Sequence, residues 1–282
     1  THGLCMNHLE WSNRRYGGIG EKLLAQRDHN TMLYLNYNTG RRISANGRSL
    51  ANTLEDLIQR NPLITSIDLI GHSMGGLVLR SALFYGKQNM HQWMHLTENL
   101  VCLGSPHHGA VLERFGFILQ DRLGHFPFVK IVRHIVNIRS NGILDLRYGS
   151  VRDDDWEHNT ARIGGMDDNR KPAPLPSHIN TFLVAGSVVY ENRKNRHFDL
   201  LGDYLVSVKS ALGEHPNPRF QLKLPESNKA IFYGIHHFEI HYHSNVAEQI
   251  VRWFYPPPDA PIKEQVHEYR MQLTDLSNSA PT

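Results

Sequence analysis

The chain has 282 residues, of which 40% are apolar and 20% charged, and a net charge of +3 at neutral pH. A chain of this length buries roughly three quarters of the surface exposed by its unfolded form, so it needs neither disulfides nor a metal for a core, and the length fits one or two domains. The small net charge argues against nucleic acid, the two cysteines, Cys5 and Cys102, form no CxxC pair, and no apolar run approaches the ~18 residues of a bilayer span.

The first predicted element is "TMLYLNYN" (31–38), short, apolar and aromatic, closing on Asn-Thr-Gly as a strand closes on its turn. Leu50, Leu54, Leu57 and Ile58 then recur at helical spacing until Asn61-Pro62 stops the pattern. "ITSIDLI" (64–70) is a near-continuous apolar run, as expected of a strand covered on both faces in a parallel sheet. A helix follows from about Met74 to Tyr85, ending at Gly86. "ENLVCLGSP" (98–106), "NTFLVAGSVV" (180–189) and "KAIFYGI" (229–235) read as three more buried strands, and "NVAEQIVRWF" (245–254) as a closing amphipathic helix. Strands alternating with helices imply βαβ units and a mostly parallel sheet, the α/β class.

An insertion at about 111–178 separates two of these strands. Its first part, "LERFGFILQDRLGHFPFVKIVRHIV", is apolar and reads as helical. Its second, "RDDDWEHNTARIGGMDDNRKPAPLPS", is rich in Asp, Asn, Gly and Pro and reads as an extended loop. A long insertion in a compact domain reads as a lid or cap over a site. Phe115, Phe117, Ile118, Phe126 and Phe128 either line an entrance there or form the core of the cap itself. The densest basic stretch, "ENRKNRH" (191–197), reads as a solvated loop. The main domain ends near residue 255, and 256–282 reads as a polar tail with no chemistry.

Nineteen histidines invite a metal reading, above all at His107–His108 and "HHFEIHYH" (236–243). No HExxH occurs and no carboxylate cluster stands at ligand spacing, so neither a metal nor an organic cofactor is called for.

The chemistry gathers on "GHSMGG" (71–76), a G-x-S-x-G pentapeptide after a buried strand and before a helix. Glycines let such a turn close tightly, which lifts the hydroxyl of Ser73 above the strand end, and the N–H of Met74 points into the same space from the helix N-terminus. A serine needs a base, and the base needs a carboxylate to fix its tautomer. In this strand–turn–helix class the order is serine, acid, histidine. Asp203 in "LGDYLVSVKSALG" (201–213) suits the acid, with Asp199 its nearest competitor and Glu239 a weaker one. His236 and His237 both suit the base. An oxyanion needs two donors. Met74 N–H supplies one, and "HGLC" (2–5), where Gly3 permits close backbone approach, offers Leu4 N–H as the other.

These motifs together resemble the α/β-hydrolase superfamily, in particular bacterial lipase and esterase relatives and GPI inositol-deacylase-like serine hydrolases. The resemblance rests on "HGLC", "GHSMGG", "LGSPHHGA" (103–110), "GDYLVSVKSALG" and "HHFEI" with "VAEQIVRWF", and it spans about residues 2–255. It implies Asp203 as the acid, from an N/G-D-G-L-V pattern in which Tyr204 replaces the usual glycine. It implies His237 as the base, from an H-L-x-L/I pattern, and Leu4 as the second oxyanion residue. Pro106 and Gly109 would shape the pocket wall, and His107 and His108 would be pocket or packing residues.

The implied activity is hydrolysis of a small-molecule or lipid carboxylic ester through an acyl-enzyme, without a cofactor and with transient contact to a lipid surface. Acyl transfer, thioester or amide cleavage by the same triad, and a catalytically silent binding protein are the alternatives. In the family an apolar strand precedes the H-G pair. Only Thr1 does so here, so the sheet is expected to lack a strand beside that loop, and the sequence reads as a fragment. Unpaired cysteines favour the cytoplasm, with export left open by the start of the chain.

Overall fold

The computed structural model describes residues 1–11, 18–110, 140–157, 170–189, 202–256 and 267–269. Among them are five strands: β1 (Ile67–His72), β2 (Thr97–Leu103), β3 (Asn180–Ser187), β4 (Lys229–Tyr233) and β5 (His267–Tyr269). All pair in parallel, in the order β1-β2-β3-β4-β5. The helices are α1 (Ile19–Leu24), α2 (Ile43–Arg60), α3 (Met74–Gln88), α4 (Trp93–Leu96), α5 (Asn141–Tyr148), α6 (Asp154–Glu157), α7 (Val208–Ala211) and α8 (Ser244–Phe254).

The sheet is covered on both faces, which explains why its strands read as unbroken apolar runs. Side chains alternate along a strand. Leu100, Cys102, Leu183 and Ala185 therefore join one core with Leu50 and Ala51 of α2 and Leu77, Val78 and Leu83 of α3. Val101, Leu103, Phe182 and Val184 join the opposite core with Ile19 and Leu23 of α1 and Val246, Ala247 and Ile250 of α8. Each fully buried Leu, Ile or Val contributes about 1.5–3 kcal/mol of transfer free energy. His72 pairs beside Leu103, so the carboxyl ends of β1 and β2 finish level.

Three expectations change. Residues 31–38 form no strand. The Tyr37 N–H goes to His2 Nε2 and the Asn36 side chain engages His8, so the segment is tied to the first residues through side chains rather than through a ladder. Second, residues 140–157, inside the supposed cap, pack into the body. Ile143, Leu146 and Val151 belong to the main core, and α6 forms within the stretch read as loop. Buried Asp145 of α5 accepts from Arg42 Nη1 at 2.7 Å and from the Ile43 N–H at 2.8 Å. The Ile43 N–H has no acceptor within α2, so the carboxylate caps that helix from a distant segment. Third, residues 267–269 of the expected tail pair with β4 as an edge strand. The Phe115–Phe128 group, Asp199 and the 191–197 stretch lie outside the described residues.

Beside β1, the Thr1 amino group donates to Ile70 O at 2.8 Å and Thr1 O accepts from His72 N–H at 3.0 Å. That is the hydrogen-bond pattern of a parallel neighbour, made by the first residue. Among the described residues, no helix is long and apolar enough to cross a membrane.

Candidate active site

β1 ends at His72 and α3 begins at Met74, leaving Ser73 alone in the turn with φ 54° and ψ −123°. An L-residue rarely adopts this conformation, and the surroundings must hold it there. Ser73 N–H donates to Leu103 O at 2.8 Å, and Ser73 O accepts from Gly76 N–H at 3.1 Å. The flanking glycines are required by contact. A Cβ on Gly71 would lie 2.6 Å from Gly76 N, and one on Gly75 would lie 2.4 Å from Thr1 O and 2.7 Å from His2 O.

Met74 is fully buried, and its N–H, in the first turn of α3, has no acceptor within the helix. Leu4 lies opposite, in a turn closed by Met6 N–H to Gly3 O at 3.3 Å. His2 fixes this loop. Its Nδ1–H donates to Gly3 O at 2.8 Å, its ring stacks on Tyr37 at 4.5 Å, and Tyr37 Oη–H donates to His2 O at 2.9 Å.

Asp203 and His237 meet in the interior, 1% and 2% exposed, and His237 Nδ1–H donates to Asp203 Oδ2 at 2.7 Å. Asp203 Oδ1 accepts from the N–H groups of Leu205 (3.0 Å) and Val206 (2.8 Å). Three donors thus hold the carboxylate in place. Tyr204 takes φ 80°, the left-handed conformation a glycine would adopt, and its side chain is 37% exposed, so the turn keeps its shape without the usual glycine.

The two adjacent histidines separate cleanly. His237 faces Asp203, whereas half-exposed His236 faces Glu239, with Nε2 3.5 Å from Oε2. Glu239 also accepts the His236 N–H and is therefore no rival for His237.

Ser73, His237 and Leu4 line one cleft of about 460 Å³, its open mouth included. The rest of the lining is apolar: Met6, Pro106, Ala110, Leu146, Leu205, Val206 and Phe238. Pro106 is on the wall as expected. Gly109 instead abuts Arg147 O of α5, and His107 and His108 face a different cavity.

Sequence reasoning missed two supports. Gly104, at φ 54°, backs the Asp203–His237 pair, because a Cβ there would lie 3.0 Å from Asp203 Oδ2. His72, fully buried, donates Nε2–H to His237 O at 2.9 Å, with its ring 4.8 Å from His237 and 4.7 Å from His241. Burial, then the neighbouring His241 and His237, hold the His72 imidazole well below its ordinary pKa. Its position between Gly71 and Ser73 was the available signal, but nothing in the spacing assigns it a partner. Among the described residues, no three His, Cys, Asp or Glu side chains converge as metal ligands would.

A parallel sheet covered by helices on both faces, with a serine in a strained turn between β1 and α3, defines the α/β-hydrolase fold. The chain belongs to the PGAP1-like alpha/beta domain family, whose model matches residues 1–215. Among solved structures, the mature form of the Bacillus licheniformis lipase BlEst2 is similar to it with a TM-score of 0.53 at 19% identity, over 90% of this chain and 89% of that one. The propeptide form of the same lipase gives a TM-score of 0.52 at 16% identity over 94% of this chain. The chain spans about half of that form, 51%. No curated protein matches the sequence.

Proposed function

We propose that this protein is a serine hydrolase that cleaves carboxylic esters through an acyl-enzyme. The observation that carries the reading is His237, bonded to Asp203 behind it, sharing one apolar-walled cleft with Ser73 in its strained turn. The lipase likeness supports the scaffold, and the chemistry is argued from the residues.

With Nδ1–H committed to Asp203, His237 has its Nε2 lone pair free to accept a proton. Ser73 Oγ gives up its proton to that nitrogen and bonds to the ester carbonyl carbon. The carbonyl oxygen takes the negative charge, and the N–H groups of Met74 and Leu4 are the donors for it. The tetrahedral species collapses, His237 returns the proton to the departing alkoxide, and the acyl group stays on Ser73. A water then repeats the sequence, giving its proton to His237 and its oxygen to the released acid. Asp203 orients His237 and stabilises the imidazolium. No cofactor takes part in these steps.

The cleft lining favours an apolar acyl group. A fluorophosphonate probe tests the nucleophile: it should label the wild type and leave Ser73→Ala unlabelled, and labelling of that variant would refute the assignment. A panel of esters of graded acyl length tests the substrate class. A sharp rise in rate at a lipid–water interface is the result expected of contact with a lipid surface.

A further inference from the structure

A second cavity, of about 470 Å³ including its mouth, lies behind the wall of the cleft. The segment 105–110 divides the two, with Pro106 facing the cleft and His107 the cavity. The cavity is lined by Arg80 of α3, Arg170, Lys171 and Arg219, against one carboxylate, Asp155. That carboxylate is occupied by the backbone N–H groups of Val151, Arg152 and Lys171. Arg80 is 7% exposed and has no carboxylate partner among the described residues. Its Nη1–H donates to His107 Nδ1 at 3.2 Å and its Nη2–H to Ala173 O at 3.2 Å.

Because His107 Nδ1 accepts from Arg80, its proton sits on Nε2. That donor is buried and unpartnered, as is Arg80 Nε–H. Burial of a cation without a direct carboxylate partner and of orphan donors is costly, and an acceptor of negative charge relieves both. Lys171 and Arg219 are exposed and make no ion pair among the described residues, which places two cations at the mouth.

We infer that this cavity is an anion site for a phosphate group, inorganic or esterified, separate from the ester cleft, with Arg80 and His107 as its inner donors and Lys171 and Arg219 at its mouth. A guanidinium fork matches phosphate oxygens in two parallel hydrogen bonds, which a lysine there would not. Burial pushes Arg80 down to about 10, so it remains charged at neutral pH.

Calorimetric titration of the full chain with inorganic phosphate, at constant ionic strength against chloride, tests the inference. One saturable site and a rise in Tm are expected. Lys171→Ala/Arg219→Ala should weaken binding about tenfold and Arg80→Gln should abolish it. If Arg80→Gln does not fold, the double variant carries the test. Ser73→Ala should bind as the wild type does, so the result is independent of the ester chemistry.

Glycerol 3-phosphate and phosphatidylcholine vesicles with or without phosphatidic acid separate the sources. Binding of the free ester alone supports a soluble ligand, and Arg219-dependent capture by the phosphatidic acid vesicles supports a headgroup. Absence of saturable binding to all three, or a double variant that binds like the wild type, would overturn the inference.

Discussion

Gly75→Ala isolates the backbone loop proposed to hold the oxyanion, which side-chain substitution of Leu4 or Met74 cannot reach. The added Cβ would stand 2.4 Å from Thr1 O and 2.7 Å from His2 O, where ordinary contact begins near 3.4 Å. These are backbone atoms, so no side chain can swing away, and one element must retreat by about 1 Å. α3 cannot yield easily, because Leu77, Val78, Leu79, Ala82 and Leu83 lock it in the core at 2% exposure or less. The 1–4 segment, held to β1 and to Tyr37 by hydrogen bonds and one ring stack rather than by a helix locked in the core, is the element that shifts. A donor works only within 2.7–3.1 Å of the oxyanion, so this shift removes Leu4 N–H. The loss is about 10²–10³ in kcat with KM little changed. Gly47→Ala is the control: its Cβ would meet Ser81 Oγ at 2.2 Å, between α2 and α3 and away from the loop, so it should lower Tm without a selective loss of kcat. Steady-state ester kinetics with thermal melts decide the matter. A folded Gly75→Ala protein with kcat within threefold of wild type would refute the role of the loop.

Ser73→Ala and His237→Ala should each lower ester turnover by about 10⁴-fold or more, and His236→Ala by less than tenfold; equal losses at the two histidines would reverse the choice of base. Tyr204→Gly should relieve the cost of a tyrosine at φ 80°, raising stability by about 1 kcal/mol and Tm by a few degrees, and a lower Tm would contradict this. Burial lowers His241 to about 4 from 6.5, so its stabilisation is complete above pH 6.5 and lost as pH falls towards 4, about 3 kcal/mol in all. His72, His107 and His108 are also lowered by burial and act with it, while Asp145, raised to about 6, opposes them. The net expectation is a Tm that falls between pH 6.5 and 4, and a Tm constant across that range would show the histidines are not held neutral.

What was legible in the sequence was what is local. Strands buried on both faces announce themselves as apolar runs, and the elbow is written in six consecutive residues, with the Gly71–Gly76 contact local to it, while the contacts of Gly75 with Thr1 and His2 lie beyond that pattern. The segment 31–38 misled because its apolar and aromatic residues are those of a strand, while the Tyr37 N–H bonds a histidine side chain rather than a neighbouring strand. The stretch from Arg152 misled because polar Asp155 looks like a loop residue, yet it is buried to bind backbone N–H groups. Tyr204 looked like a defect in the acid motif, but the strain is local and the turn holds. The Arg80 cavity draws on positions 80, 107, 170 and 219, and no local pattern joins them.

The histidines show how the elbow and the base can act as one unit. His237 is held through its backbone on two sides: its N–H donates to Asp203 O at 3.0 Å, and its carbonyl accepts from His72. His72 is also the residue before Ser73, so the proposed nucleophile and the proposed base are joined across 165 positions of chain by a single hydrogen bond as well as by the sheet. His241 completes the stack behind them, its Nε2–H on Glu10 O at 2.7 Å. A protonated His72 or His241 would set a cation beside His237 and oppose the imidazolium that the proposed ester cleavage forms. Burial keeps both neutral, and a neutral imidazole still offers the one N–H that each carbonyl needs. The abundance of histidine that suggested a metal is thus spent, around this site, on uncharged donors that fix the base without perturbing its charge.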